Sequence, residues 1–524
     1  MIRVGSIRKR NGPLEALAWL FGFAGLVWFG VNWVLSGDVE AQQLIVVAVT
    51  ATIICLATLR NWRLGLYLFP IWLAIEDFAR KSLSNNMLVY FGKDALVLAI
   101  YVAFFYGFGR RSEKIWKPPF LLPLLFLGVW AALEAFNPWT ASLSYGLLGL
   151  KLYFYYVPLM VVAYYFVRTE LDLRRFLVFN IALGGFVSLL GVIQAITGQS
   201  FLNPEVAGED LVLYWNRSAP VSGLVFTRAN SLFVSDGRFG AYLIQMWILC
   251  FGTVAYLVLR GGRGRKLAYL CAAVILAAIL LSGVRTALVY SLISTVAMVA
   301  GLAWGAPLTK EQRLRTFRAI RRFVLLSVAG VICVALIYPS TLASRWAFYI
   351  ETLSPNSPAS ELAARGWGYP ISEFLKGFTL EHWGWGRGLG TASLGTQYIM
   401  RLLHAPPPGT VVENGYGALL LEMGVPGLIL WIVFSFAIVQ SCWKVTKQLR
   451  GTPMFPLAFC IFWFAFIVLF PLSFIGLTTF QDFIVNAYLW MFIGILFRLP
   501  SIVADWTTQN IPSQGAVMAY PKPS

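Results

Sequence analysis

Apolar runs long enough to cross a bilayer recur along the whole chain, and no other feature restricts its fold so strongly. About 20 apolar residues carry a helix through about 30 Å of hydrocarbon. Backbone N–H and C=O groups find no water there, so a run entering the bilayer must satisfy them within a helix or a closed barrel. Barrel strands alternate apolar and polar residues in segments of about ten, whereas these runs are apolar throughout. The expected fold is therefore all-α: a polytopic integral membrane protein with about fourteen transmembrane helices. The candidate spans are 14–35, 42–59, 61–75, 87–108, 119–136, 148–167, 176–196, 239–259, 267–281, 286–304, 323–338, 416–438, 454–474 and 483–497. Composition agrees, with 12% charged residues against about a quarter in soluble domains.

Arginine and lysine set the expected orientation. The formal charge of +18 would suit nucleic acid if it formed one contiguous face. It comes instead in short clusters between apolar runs, the pattern of a positive-inside bias, so no nucleic-acid partner is expected. Keeping the short run at 61–75, which contains Pro70, puts Arg60/Arg63, Arg110/Arg111, Arg168/Arg174/Arg175, Arg260/Arg263 and Lys444/Lys447 on the N-terminal side. Dropping it would turn the later clusters outward, against the bias. Both termini are expected to be cytoplasmic. Arg3, Arg8, Lys9 and Arg10 precede a first run too long for a signal peptide, with no small-x-small cleavage site after it.

This topology leaves two outer segments, 197–238 and 339–414. The second is long for a connector and is expected to fold as a cap, with short helices near 360–376 and 397–404. Residues 1–498 are expected to form one transmembrane domain, and 499–524 a disordered cytoplasmic tail. The six cysteines fall in or at the ends of apolar spans, with neither a disulfide framework nor zinc-ligand spacing. No metal or cofactor is expected.

Arg285 is the residue hardest to explain as structure alone. It sits in Ser282-Gly283-Val284-Arg285-Thr286-Ala287-Leu288, between two apolar spans with almost no loop. An arginine at that depth needs a partner or a wet cavity. Its fork of donors suits a phosphate or pyrophosphate, and snorkelling to headgroups is the alternative. Arg217, Arg228, Arg238, Arg345, Arg365, Arg387 and Arg401 add an electropositive outer mouth. Trp346, Phe348, Tyr349, Trp367, Tyr369, Trp383, Trp385 and Tyr398 fit either sugar stacking or an interfacial belt.

Both histidines, His382 and His404, lie in the second outer segment, where either is a candidate base. Glu413 stands where that segment returns to the membrane, as a base or as a helix-start residue. Glu422, about two turns further in, needs a partner. Adjacent Lys93 and Asp94 point to different helix sides and read as structural. The glycines of Trp383–Thr391 follow no strand of a βαβ unit and suit a tight turn rather than a nucleotide loop. The outer loops hold no Asp-x-Asp pair.

These residues resemble the O-antigen ligase and polysaccharide-polymerase superfamily. Ser282–Leu288 is similar to its Ser-x-x-Arg-x-x-Leu segment, and Trp385–Thr391 to its Gly-rich motif. Asn414-x-Tyr416 with Leu421-Glu422-x-Gly424-x-x-Gly427-Leu428 is similar to its His-Asn-x-Tyr…Glu-x-Gly-x-x-Gly-Leu signature. Phe136-Asn137-Pro138 to Val157-Pro158-Leu159 resembles exopolysaccharide polymerase members. The family histidine is Glu413 here, which leans the reading from lipid A core ligase toward polymerase of a secreted or capsular polysaccharide.

The resemblance implies glycosyl transfer on the outer leaflet of a bacterial inner (cytoplasmic) membrane. The donor would be a glycan on undecaprenyl pyrophosphate and the acceptor another glycan's hydroxyl, with other polysaccharide assembly and export proteins as partners. On that basis Arg285 and Arg228 are the expected pyrophosphate clamp. Glu413 is the first candidate base and His404 the second. Arg238, Arg345, Arg387 and Tyr416 are candidate substrate contacts. Two other classes stay open, a lipid-linked oligosaccharide flippase and a non-catalytic export scaffold.

Overall fold

The computed structural model describes residues 39–83, 85–109, 115–140, 142–204, 216–307, 318, 321, 325, 336–393, 395–396, 400, 412–476 and 479–509. The expected spans 14–35 and most of 323–338 lie outside the described residues. In chain order the helices are α1 (Val39–Arg60), α2 (Trp62–Ser82), α3 (Met87–Gly109), α4 (Leu121–Ala135), α5 (Leu143–Phe154), α6 (Leu159–Phe166) and α7 (Glu170–Thr197). After a two-stranded antiparallel hairpin, β1 (Asn216–Ser218) and β2 (Val225–Thr227), come α8 (Asp236–Arg260), α9 (Arg265–Leu281), α10 (Arg285–Gly305) and α11 (Pro339–Leu353). A π-helical turn (Ala364–Gly368) leads into α12 (Tyr369–Gly377), and α13 (Gly415–Gln448), α14 (Phe455–Ile475) and α15 (Phe483–Gln509) complete the order.

Eight helices among the described residues are long and apolar enough to cross a membrane, and α1 and α4 add shorter apolar helices. The chain is a multi-pass membrane protein. The most enclosed span, α8, packs against α7, α9, α10 and α14. Helices in lipid associate mainly by close packing, and small residues make it possible. A Cβ at Gly494 of α15 would lie 2.1 Å from the Met160 carbonyl of α6, so these two backbones touch.

Local chemistry sets the boundaries. The α7 start is fixed by a capping box of Thr169 and Asp172, and that of α8 by the Ser235 hydroxyl accepting from the Arg238 amide. The span expected over 148–167 is two helices, interrupted at Tyr155–Pro158, where Pro158 has no N–H to donate. The disordered tail expected over 499–524 is not found in its first part, because α15 continues through Pro500 to Gln509; residues 510–524 lie outside the described residues. Among the described residues, the two strands at Asn216–Ser218 and Val225–Thr227 are the one departure from all-α.

Buried charges tie the bundle together. Lys93 pairs with Glu76 at 3.1 Å and Lys151 with Asp94 at 2.5 Å, so neighbours Lys93 and Asp94 serve different helices. Arg238 bridges Asp77 and Asp482, each at 2.7 Å. Lys81 donates to Asn203 Oδ1 and to the carbonyls of Ser231 and Phe233.

At one end of the bundle the β-hairpin and α11 pack on each other. Phe226 of β2 meets Phe348 of α11 with ring centres 5.1 Å apart. Glu351 accepts from the Val221 and Ser222 amides in the hairpin turn. Together they form a cap over the α9–α10 connection.

Candidate functional site

Beneath that cap lies a cavity of about 450 Å³ lined by Arg217, Arg228, Arg285, Arg365, Glu361, Tyr369 and Glu413. Its residues come from the β-hairpin segment, the first turn of α10, the π-helical turn, α12 and the approach to α13. Because α9 ends at Leu281 and α10 begins at Arg285, only Ser282–Val284 separate them. The side chain of Arg285 is thereby carried at the head of a membrane-length helix. Its guanidinium lies 5.0 Å from the centre of the Phe348 ring and pairs with Glu361 at 3.0 Å. Arg365, one turn beyond Glu361, reaches the same carboxylate at 3.4 Å. Contact with Arg285 holds the Glu361 carboxyl below its usual value.

The same Phe348 ring underlies Arg228, whose Nη1 pairs with Asp236 at 2.7 Å. Arg228 Nε is buried without a hydrogen-bond partner among the described residues. Four arginines against two carboxylates leave the cavity cationic. A buried donor that nothing satisfies marks where an anion would be stabilised.

Glu413 closes the other side. Its carboxylate accepts a hydrogen bond from the Tyr369 hydroxyl, and its amide donates to Glu373 Oε2 at 2.9 Å. The hydrogen bond to Glu413 raises Tyr369 to about 12. Asn414 caps α13 by accepting from the Gly417 amide and donates to the Pro370 and Phe474 carbonyls. Those three bonds fix where the segment bearing Glu413 enters α13. Asn414 therefore caps this helix, and Glu413 is left free to face the cavity.

The remaining candidates sit elsewhere. Arg238 is engaged with Asp77 and Asp482 and does not line the cavity. Arg345 is 4% exposed and donates to the carbonyls of Leu281, Thr341, Ala195 and Thr227, binding the cap to the bundle. Arg387 contacts Glu381 by both its carbonyl and its carboxylate. Tyr416 donates to the Leu469 carbonyl within the bundle. None of these four lines the cavity. His382 stacks on Trp139 with ring centres 4.1 Å apart, away from the cavity. His404 lies outside the described residues.

The Gly-rich stretch and the break in α13 prove to be two halves of one joint. Gly424 interrupts α13 with φ +65°, and Gly386 has φ +97°. A Cβ at Gly386 would lie 2.7 Å from the Gly424 amide nitrogen. The strands of chain are stitched by Arg387 N to Leu421 O at 2.8 Å and Val425 N to Gly384 O at 3.0 Å. Glu422, fully buried, accepts from Ser393 Oγ, the Ala392 amide and the Tyr153 hydroxyl. Asn137 donates to the Gly386 carbonyl, and the Leu389 amide to the Glu134 carbonyl. The stretches at 136–138, 383–391 and 421–428 thus meet at one place, tying residues 383–393 to α13.

Sequence reading missed Glu361, although its spacing of four from Arg365 is a helical ion-pair signal. Arg217, Arg365 and Tyr369 were visible only as members of larger sets.

Fold and site together define a multi-pass membrane protein with a cationic, carboxylate-flanked cavity at one end of its bundle. The chain matches no protein-family model and no curated protein.

Proposed function

We propose that this chain is a membrane glycosyltransferase of the outer leaflet. It would transfer or polymerise glycan repeat units carried on undecaprenyl pyrophosphate, in exopolysaccharide, capsule or O-antigen assembly. One observation carries the proposal: Arg285, Arg228 and Glu413, distant in sequence, line a single cavity. The resemblance of the surrounding motifs to polysaccharide polymerases adds to it. About fourteen spans, an inner-membrane location and cytoplasmic termini belong to the same proposal and rest on apolar pattern and charge bias.

In this reading the donor's pyrophosphate displaces Glu361 from Arg285. An ion pair with a partly exposed carboxylate contributes roughly 0–1 kcal/mol. A charge-assisted hydrogen bond to phosphate contributes about 1.5–3 kcal/mol, so the exchange favours the ligand. The acceptor hydroxyl attacks the anomeric carbon, and the bond from that carbon to the pyrophosphate oxygen breaks. The electron pair leaves on the pyrophosphate, where Arg285 and Arg228 stabilise the developing charge. Glu413 takes the hydroxyl proton. No metal or nucleotide enters, since the leaving group is already activated.

The test is analysis of lipid-linked glycans in a strain lacking the chain. Single repeat units should accumulate outside and polymer should vanish. Accumulation inside would mean a flippase, and normal polymer length would overturn the proposal. Complementation with Arg285→Ala is expected to restore no polymer. With Glu413→Gln, turnover should fall by about 10²–10⁴.

A further inference from the structure

A second cavity, of about 810 Å³, lies at the far end of the bundle. It is lined by Arg168, Arg174, Arg260, Arg263, Glu170, Asp505 and Trp506, among others. Its separation from the capped cavity follows from α8. Arg228 pairs with Asp236 in the first turn of that helix, while Arg260 ends it. At 1.5 Å per residue the two ends are about 36 Å apart.

Part of this cavity is a fixed wall. Glu170 receives two hydrogen bonds from Arg260, at 2.9 and 2.6 Å, and one from the Tyr256 hydroxyl at 2.8 Å. The Arg260 guanidinium in turn lies 4.0 Å from the centre of the Trp506 ring. That contact explains why α15 persists past Arg498. Arg174 and Arg263 differ, for neither makes a hydrogen bond or ion pair among the described residues. A Cβ at Gly261 would meet nothing within 4 Å, whereas one at Gly262 would lie 3.0 Å from Leu257 Cδ2 and 3.7 Å from the Arg174 side chain. Four arginines face two carboxylates, Glu170 and Asp505, so the lining carries a net positive charge.

We propose that this cavity binds a phosphate group, held by Arg174 and Arg263 against the Arg260–Trp506 wall. The phosphate would be the headgroup of an anionic membrane lipid or free in solution. Guanidinium forks suit phosphate oxygens, and basic pockets between helix ends are where anionic headgroups bind. The lining favours the lipid source. Leu171, exposed at 42%, shares the cavity rim. Leu189, five turns further along the same face of α7, is exposed as well. An acyl chain leaving the headgroup would therefore find apolar surface. This proposal is independent of the glycan-transfer reading.

The test uses the full chain, delipidated in detergent and then exposed to phosphatidylcholine, to phosphatidylglycerol, or to inorganic phosphate. Native mass spectrometry is expected to show retained phosphatidylglycerol but not phosphatidylcholine. Arg174→Gln with Arg263→Gln should weaken that retention at least about tenfold without lowering the melting temperature. The double lysine variant, keeping both charges, should recover most of it. A photoactivatable phosphatidylglycerol should label the chain beside Leu171 and Trp506. If inorganic phosphate competes with the lipid, the headgroup phosphate alone is recognised; if it does not, the acyl chains contribute. Equal retention by the glutamine variant, or labelling confined to other segments, would overturn the proposal. So would binding of neither lipid nor phosphate by the unmodified chain.

Discussion

Replacing Glu422 by alanine is the sharpest test of how residues 383–393 are held against α13. The carboxylate is fully buried and receives Ser393 Oγ at 2.6 Å, the Ala392 amide at 3.0 Å and the Tyr153 hydroxyl at 2.8 Å. Alanine orphans three donors at once. Each buried donor left unsatisfied costs about 1–3 kcal/mol, so the loss is at least roughly 3 kcal/mol unless water fills the space. Glutamine keeps an oxygen for the Ala392 and Ser393 donors, and the Tyr153 hydroxyl can turn to accept from the new amide, so its cost should stay near 1 kcal/mol. Thermal unfolding in detergent would read this as a melting temperature lowered by at least ~5 °C for alanine and only slightly for glutamine. Protease cleavage within 383–396 should accelerate only in the alanine variant. An alanine variant that melts with the unmodified chain would refute the reasoning. A glutamine variant with intact melting and no polymer would show that the charge acts in the chemistry instead.

Three further outcomes follow from the same geometry. Arg238→Ala removes the ion-pair partner of Asp482 and leaves Asp77 with only Arg80 at 3.7 Å, and should destabilise by about 3–5 kcal/mol; adding Asp77→Asn and Asp482→Asn should recover part of the lost melting temperature. Gly386→Ala forces a side chain into φ +97° beside the Gly424 backbone and should cost about 1–3 kcal/mol, whereas Gly384→Ala, with open space around its Cβ, should change melting by no more than about 0.5 kcal/mol. The Tyr369 hydroxyl, raised by Glu413, keeps its proton through neutral pH; its contribution is complete below the ordinary tyrosine value and is lost as pH rises through about 12. The ultraviolet difference spectrum between the unmodified chain and Tyr369→Phe should locate that transition, and Glu413→Gln should move it down; an unmoved transition would show that the contact is absent in solution.

Much of the bundle was legible because lipid enforces it. A run such as 239–259 must become a helix wherever it sits in the bilayer, and the helix found there, Asp236–Arg260, differs only in ends set by the Ser235 cap and Gly261. Two things lay beyond the reach of hydropathy. Residues past the end of an apolar run extend a helix where they find a neighbour to pack on, as Trp506 of α15 does on Arg260 of α8. Small secondary structure in a segment between spans, such as the Asn216–Thr227 hairpin, carries no apolar pattern of its own.

Charged residues divide along a different line. Arg285 stood out because almost no loop is present to carry it into water, and the structure supplies a cavity. Arg238 looked like another member of the outer mouth, yet its partners, Asp77 and Asp482, lie 161 and 244 residues away. No local spacing reveals such a bond, so the sequence could not separate an arginine that closes the bundle from one that faces a ligand. The distinction is decided by geometry. Arg238 and Arg345 have their donors answered by groups the chain itself provides, whereas Arg228 keeps a buried Nε without one. Burying an unanswered donor is costly, and a site that binds an anion recovers that cost when the ligand arrives. On this argument Arg228, rather than Arg238, is the residue whose loss should weaken donor binding while leaving the bundle intact.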